Sequence, residues 1–125
     1  MILDTKALSA FLDREPEAVA ILSEVRDLAI PVIVAGEFYF GIAQSRHRDA
    51  YERALQRMLD RSSVLTVGTD TARHYAAIRM ELKVAGRPIP ANDLWIAALS
   101  RQHAMSVMSR DAHFDSVAGL RRRGW

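Results

Sequence analysis

Arg87-Pro88-Ile89-Pro90-Ala91-Asn92-Asp93-Leu94-Trp95-Ile96-Ala97-Ala98-Leu99-Ser100 is the stretch on which the reading of this chain turns. Two prolines one residue apart hold the approach extended, because each fixes its own φ and pushes its predecessor out of the helical region. From Asp93 to His103 the chain is rich in good helix formers, and an acid in a first turn suits the helix dipole. A helix is therefore predicted to start at Asp93, placing this carboxylate beside unpaired backbone N–H groups. Taken alone, Asp93 is an ordinary first-turn acid. Its neighbours decide whether it is more.

On the C-terminal side, Met105-Ser106-Val107-Met108 reads as a strand. It is followed by Ser109-Arg110-Asp111-Ala112-His113-Phe114-Asp115 and a basic end, Leu120-Arg121-Arg122-Arg123-Gly124-Trp125. On the N-terminal side, Thr69 or Asp70 can cap a helix running to about Ala85, where Gly86 ends it. Before it, Val64 to Val67 reads as a strand, and Arg48 to Arg61 as a long amphipathic helix with Tyr51, Leu55, Met58 and Leu59 on its apolar face. Val32 to Gln44 is predicted helical, with Glu37 in its first two turns. Leu28-Ala29-Ile30 is a short strand stopped by Pro31, and Pro16 opens a helix at its first position. At the start, Met1-Ile2-Leu3 reads as a buried strand ending in Asp4, after which Thr5 can cap a helix over Lys6 to Asp13. Short strands alternating with helices argue an α/β fold, a parallel sheet with helices on both faces. One domain covers residues 1–125.

Bulk properties narrow the classes. Half of the 125 residues are hydrophobic and 26% are charged, which suits a domain that buries a core. Cysteine is absent, excluding a disulfide framework and thiolate metal sites and fitting a reducing compartment. No apolar run approaches the ~20 residues that span a bilayer, and the N-terminus lacks a signal-peptide pattern, so no membrane association and a cytoplasmic location are expected. Net charge is only +2, yet fifteen of the seventeen basic residues are arginine. The arginine fork suits phosphate, a lean toward nucleic acid, although solvated helix faces explain the same excess.

In an open parallel sheet, ligands collect beyond the carboxyl ends of the strands. Asp4 and Asp111 follow strands, and Glu37 and Asp93 fall early in helices that leave the same edge. Four acids thus converge on one rim from scattered segments. Carboxylates without cysteine or histidine suit a hard divalent cation, Mg²⁺ or Mn²⁺, rather than zinc. Such a centre supports phosphodiester hydrolysis by lowering the pKa of a bound water and stabilising the leaving oxygen.

Ile2-Leu3-Asp4-Thr5, Gly36-Glu37-Phe38-Tyr39-Phe40-Gly41, Ile89 to Ala98 and Ser109 to Asp115 resemble, in order, the successive motifs of PIN-domain ribonucleases, most closely the VapC-type toxins of bacterial toxin–antitoxin pairs. The resemblance runs end to end. It implies a Rossmann-like parallel sheet, a Mg²⁺ or Mn²⁺ cofactor, and cleavage of structured RNA of the transfer or ribosomal class. It matches the family's acids to Asp4, Glu37, Asp93 and Asp111, with Asp115 as a less regular fifth. Asp4, Asp93 and Asp111 are the expected metal ligands, and Glu37 either bridges to metal or orients the attacking water. Arg110 is an accessory candidate for the scissile phosphate, or a plain surface arginine. Lys6 stands where the family usually has asparagine. A cognate antitoxin and a homodimer are the expected partners. The competing reading is a non-catalytic module that uses the same fold to bind RNA or protein. A phospho-acceptor domain with Asp4 as nucleophile lacks the second aspartate two residues on.

Overall fold

Ile2 and Leu3 are wholly buried, and so are Val107 and Met108, the strand they pair with. Strands covered on both faces carry unbroken apolar runs, which is why these short segments contain no polar alternation. The structure, a computed structural model describing residues 1–125, orders five strands as β3-β2-β1-β4-β5, every pairing parallel. In chain order these are β1 (Ile2–Leu3), α1 (Thr5–Leu12), α2 (Pro16–Ser23), β2 (Ala29–Pro31), α3 (Val32–Ile42), α4 (Arg48–Asp60), β3 (Ser63–Leu65), α5 (Thr69–Val84), α6 (Ala91–His103), β4 (Val107–Met108), a 3₁₀ turn (Ala112–Ser116) and β5 (Arg122–Arg123). The predicted α/β class, with its parallel sheet and flanking helices, is what the chain adopts. No helix is long and apolar enough to cross a membrane.

Three helix starts differ from the sequence expectation, each for a local reason. Helix α6 begins at Ala91 rather than Asp93, because Pro90 is the last extended residue (φ −56°, ψ 149°) and no side chain caps the end. Asp93 consequently occupies the third helical position, still within the first turn. Helix α1 is capped by Asp4, whose Oδ1 accepts the Ala7 N–H at 2.7 Å, so Thr5 is the first helical residue and not the cap. Helix α5 starts from Gly68, with the Thr71 hydroxyl accepting the Gly68 N–H at 3.1 Å. Gly86 ends that helix in the left-handed region at φ 67°, a conformation that favours glycine.

Helix α6 is the most deeply set helix. Leu94 and the run Ile96 to Ser100 are buried, and the one polar side chain in that run, Ser100, donates to the Met105 carbonyl at 2.5 Å. Trp95 stacks on Tyr75 of α5 with ring centroids 4.1 Å apart, and Arg101 holds Glu81 of α5 through two 3.0 Å contacts. The helix that carries Asp93 is thus pinned at both ends.

Leu99→Ala would remove a wholly buried side chain from this helix. It should lower stability by about 2–5 kcal/mol in urea unfolding; a loss below about 1 kcal/mol would show that α6 is not the packed element described here.

Candidate metal centre

Strand β1 is followed at once by Asp4, and from the end of β4 the chain runs through the buried Ser109 to Asp111. The register Leu3↔Met108 sets the two exits side by side. On either side of β1 and β4 the strand order runs in opposite directions, so this is the switch point where a parallel sheet leaves a crevice. Ser109 joins the exits: its hydroxyl accepts the Asp111 N–H at 2.8 Å and also helps hold the Asp4 carboxylate charged.

Asp93 is the hub. Its Oδ2 lies 3.1 Å from His113 Nδ1, which in turn lies 2.9 Å from Asp111 Oδ1. The donor atoms of Asp93, Asp111 and His113 all fall within 4.8 Å of one another. Asp4, Asp111 and Glu37 each act on Asp93 or are acted on by it as like charges. Of the four acids singled out from the sequence, Asp93 and Asp111 share one donor set with His113, while Asp4 and Glu37 lie near enough to Asp93 for charge to act between them.

Clustered acids near low-dielectric surroundings resist ionisation. Burial raises the Asp4 pKa; Ser109 and the Ala7 N–H oppose the rise, Asp93 adds to it, and Lys6 counters weakly. Asp93 is also raised, first by burial, against the pull of His113 and with the repulsion of Asp111 and Glu37. Two carboxylates and an imidazole whose donor atoms lie within 4.8 Å of one another fit a divalent ion by their donor chemistry, and Asp4 supplies a further carboxylate nearby.

Glu37 is held differently. Thr5 Oγ1 donates to its Oε2 and Asn92 Nδ2 donates to its Oε1, tying α3 to the first turns of α1 and α6. Two further candidates lie apart from the cluster. Asp115 is taken by Arg122 in a two-point pair at 2.8 Å, and Arg122 also donates to the Ser109 carbonyl. Arg110 donates to Glu15 at 2.8 Å and packs over the Trp125 ring at 4.3 Å, the arrangement of a surface arginine. Lys6 is exposed on α1 and reaches the site only through its charge on Asp4. Sequence reasoning missed His113, Asn92 and Ser109 as site groups. The motif containing His113 was noted, but nothing in its spacing shows that the ring turns back toward Asp93.

A raised carboxylate pKa means that the folded state binds the proton more tightly than the unfolded chain. The associated stability is full below the unfolded value, 3.8, and is lost as pH climbs through the raised folded value. In metal-free buffer, Asp93→Asn should therefore gain melting temperature relative to wild type between about pH 4 and pH 7. A relative loss over that range, in thermal melts followed by circular dichroism, would contradict the strained site.

Comparison with known proteins agrees with this fold. The chain matches the PIN domain family over residues 1–120. It is 31% identical to Ribonuclease VapC5 of Mycobacterium tuberculosis, over 74% of this chain and 70% of that protein. Its backbone superposes on FitAcB from Neisseria gonorrhoeae with a TM-score of 0.85 and 30% identity, covering 97% of this chain and 94% of the other. It also superposes on VapBC-5 from Mycobacterium tuberculosis, a member of the VapBC family of toxin–antitoxin systems, with a TM-score of 0.73 and 28% identity over 98% and 94% of the two chains. The four-acid rim, the five-stranded parallel sheet and these matches together make the chain a member of the PIN-domain family, among its VapC-type ribonucleases.

Proposed function

We propose that this chain is a Mg²⁺- or Mn²⁺-dependent endoribonuclease and the toxin half of a toxin–antitoxin pair, acting in the cytoplasm. The observation that carries the reading is the donor set of Asp93, Asp111 and His113, within 4.8 Å of one another at the sheet's switch point, with Asp4 and Glu37 near enough for charge to act between them and Asp93. The names of the relatives, ribonuclease and toxin–antitoxin system, support the activity and the partner.

Asp4, Asp93 and Asp111 are the residues assigned to hold the cation. When bound, the ion would supply a more acidic water and charge stabilisation at the phosphate. Glu37, with Thr5 and Asn92 on its two oxygens, is oriented to accept the proton of the attacking water rather than to swing freely. Ser109 keeps Asp4 and Asp111 in step. Arg110 remains an accessory candidate only if its pair with Glu15 opens, and Asp115 only if it leaves Arg122. The RNA is expected to be of the transfer or ribosomal class. Exposed Phe40 on α3 and exposed Met80 and Val84 on α5 offer apolar surface for a second copy or for the antitoxin.

Purified protein should cleave RNA with Mg²⁺ or Mn²⁺ and stop in EDTA. Metal at about 100 times its dissociation constant should stabilise the fold by about 2.7 kcal/mol, because only the folded chain has the site. Asp93→Asn should lose both cleavage and most of that stabilisation. A variant that still cleaves RNA and still responds to metal like wild type would remove the reading, leaving a non-catalytic PIN-fold binder. RNA affinity should also fall steeply with salt as phosphates release counterions; a salt-independent affinity would count against RNA as the ligand.

A further inference from the structure

His113 stands apart from the acids in chemistry and among them in space. Its Nδ1 lies 2.9 Å from Asp111 Oδ1 and 3.1 Å from Asp93 Oδ2. In an octahedral centre with bonds of about 2.1 Å, adjacent ligand atoms stand about 3.0 Å apart. The imidazole nitrogen thus already occupies a position adjacent to both carboxylate oxygens, at the separation that two shared edges of such a polyhedron would have.

The backbone keeps it there. Asp111 Oδ1 caps the 3₁₀ turn by accepting the His113 N–H at 3.0 Å. The next residue, Phe114, is wholly buried and anchors the turn to the core. The side chain is 48% exposed, so ions can reach the ring from solvent. A hydrogen bond to either acid would use the same distances, and the two roles separate by what happens when a cation is present.

We propose that His113 is a direct ligand, through Nδ1, of the cation held by Asp93 and Asp111, and that it biases the centre toward a first-row transition ion, Mn²⁺ over Mg²⁺. Imidazole nitrogen is a softer donor than carboxylate oxygen and adds more to the binding of transition ions than to that of Mg²⁺. This rests on the metal-dependent reading of the same site and deepens it by naming the ion.

The test is Mn²⁺ titration of the metal-free protein, with electron spin-echo modulation to detect nitrogen bound to the ion. Wild type should show nitrogen modulation. His113→Ala and His113→Gln should lose it, bind Mn²⁺ about tenfold or more weakly, and bind Mg²⁺ with a smaller change, so that the preference for Mn²⁺ shrinks. Both variants keep the backbone N–H that Asp111 caps, and circular dichroism checks their fold. Mn²⁺ bound to wild type without nitrogen modulation, or bound to both folded variants with wild-type affinity, overturns the ligand role and leaves the ribonuclease reading standing. Wild type that binds Mg²⁺ but no Mn²⁺ overturns the ligand role alone, and wild type that binds neither ion overturns both.

Discussion

The register between β1 and β4 is the constraint on which the rest depends. Ile2 faces Val107 and Leu3 faces Met108 in two strands of two residues each, all four side chains wholly buried. A slip of one residue would send each side chain to the opposite face and turn Asp4 away from Ser109 and Asp111. Neither strand has length to spare, so the register is held by what flanks it. The Ile2 N–H donates to the Ser106 carbonyl at 2.8 Å, the Asp4 N–H to the Met108 carbonyl at 3.3 Å, and β5 closes over β4 through Val107 and Ser109. The apolar core thereby fixes where charge can stand.

That charge is arranged at some expense to the fold. Asp4 serves twice, as helix cap and as the most buried acid of the rim, so the α1 N-terminus is built on the same carboxylate that borders the site. Asp93 sits in a first turn, where the helix dipole favours it, yet the surrounding acids oppose its ionisation. His113 is the one basic side chain inserted directly between two of the acids; Arg110 and Arg122, the nearby arginines, are turned to Glu15 and Asp115. A rim with its own arginines neutralised elsewhere keeps its negative potential for a cation.

Much of this was legible in the residues. Proline and glycine punctuation, apolar triplets and helical periodicity located the strands and helices to within a few residues, since each depends on neighbours in sequence. The convergence of Asp4, Glu37, Asp93 and Asp111 followed from a rule about strand ends, which needs topology but not side-chain positions. What stayed hidden depends on short-range geometry. His113 reaches Asp93 only because Asp111 caps a 3₁₀ turn, a feature too short to leave a periodicity. The hold of Thr5 and Asn92 on Glu37 joins three helices across 32 and 55 residues of chain. The resting places of Arg110 and Asp115 were settled by Glu15 and Arg122, partners that no spacing connects to them.

Anomalous diffraction from a crystal grown with Mn²⁺ tests the central claim most directly. It locates the ion without reference to activity, to RNA or to any variant. A single strong peak within bonding distance of Asp93 and Asp111, at the carboxyl edge of β1 and β4, is the predicted result. Full Mn²⁺ occupancy elsewhere on the chain, with Asp93 and Asp111 still in one donor set and no density between them, would contradict it.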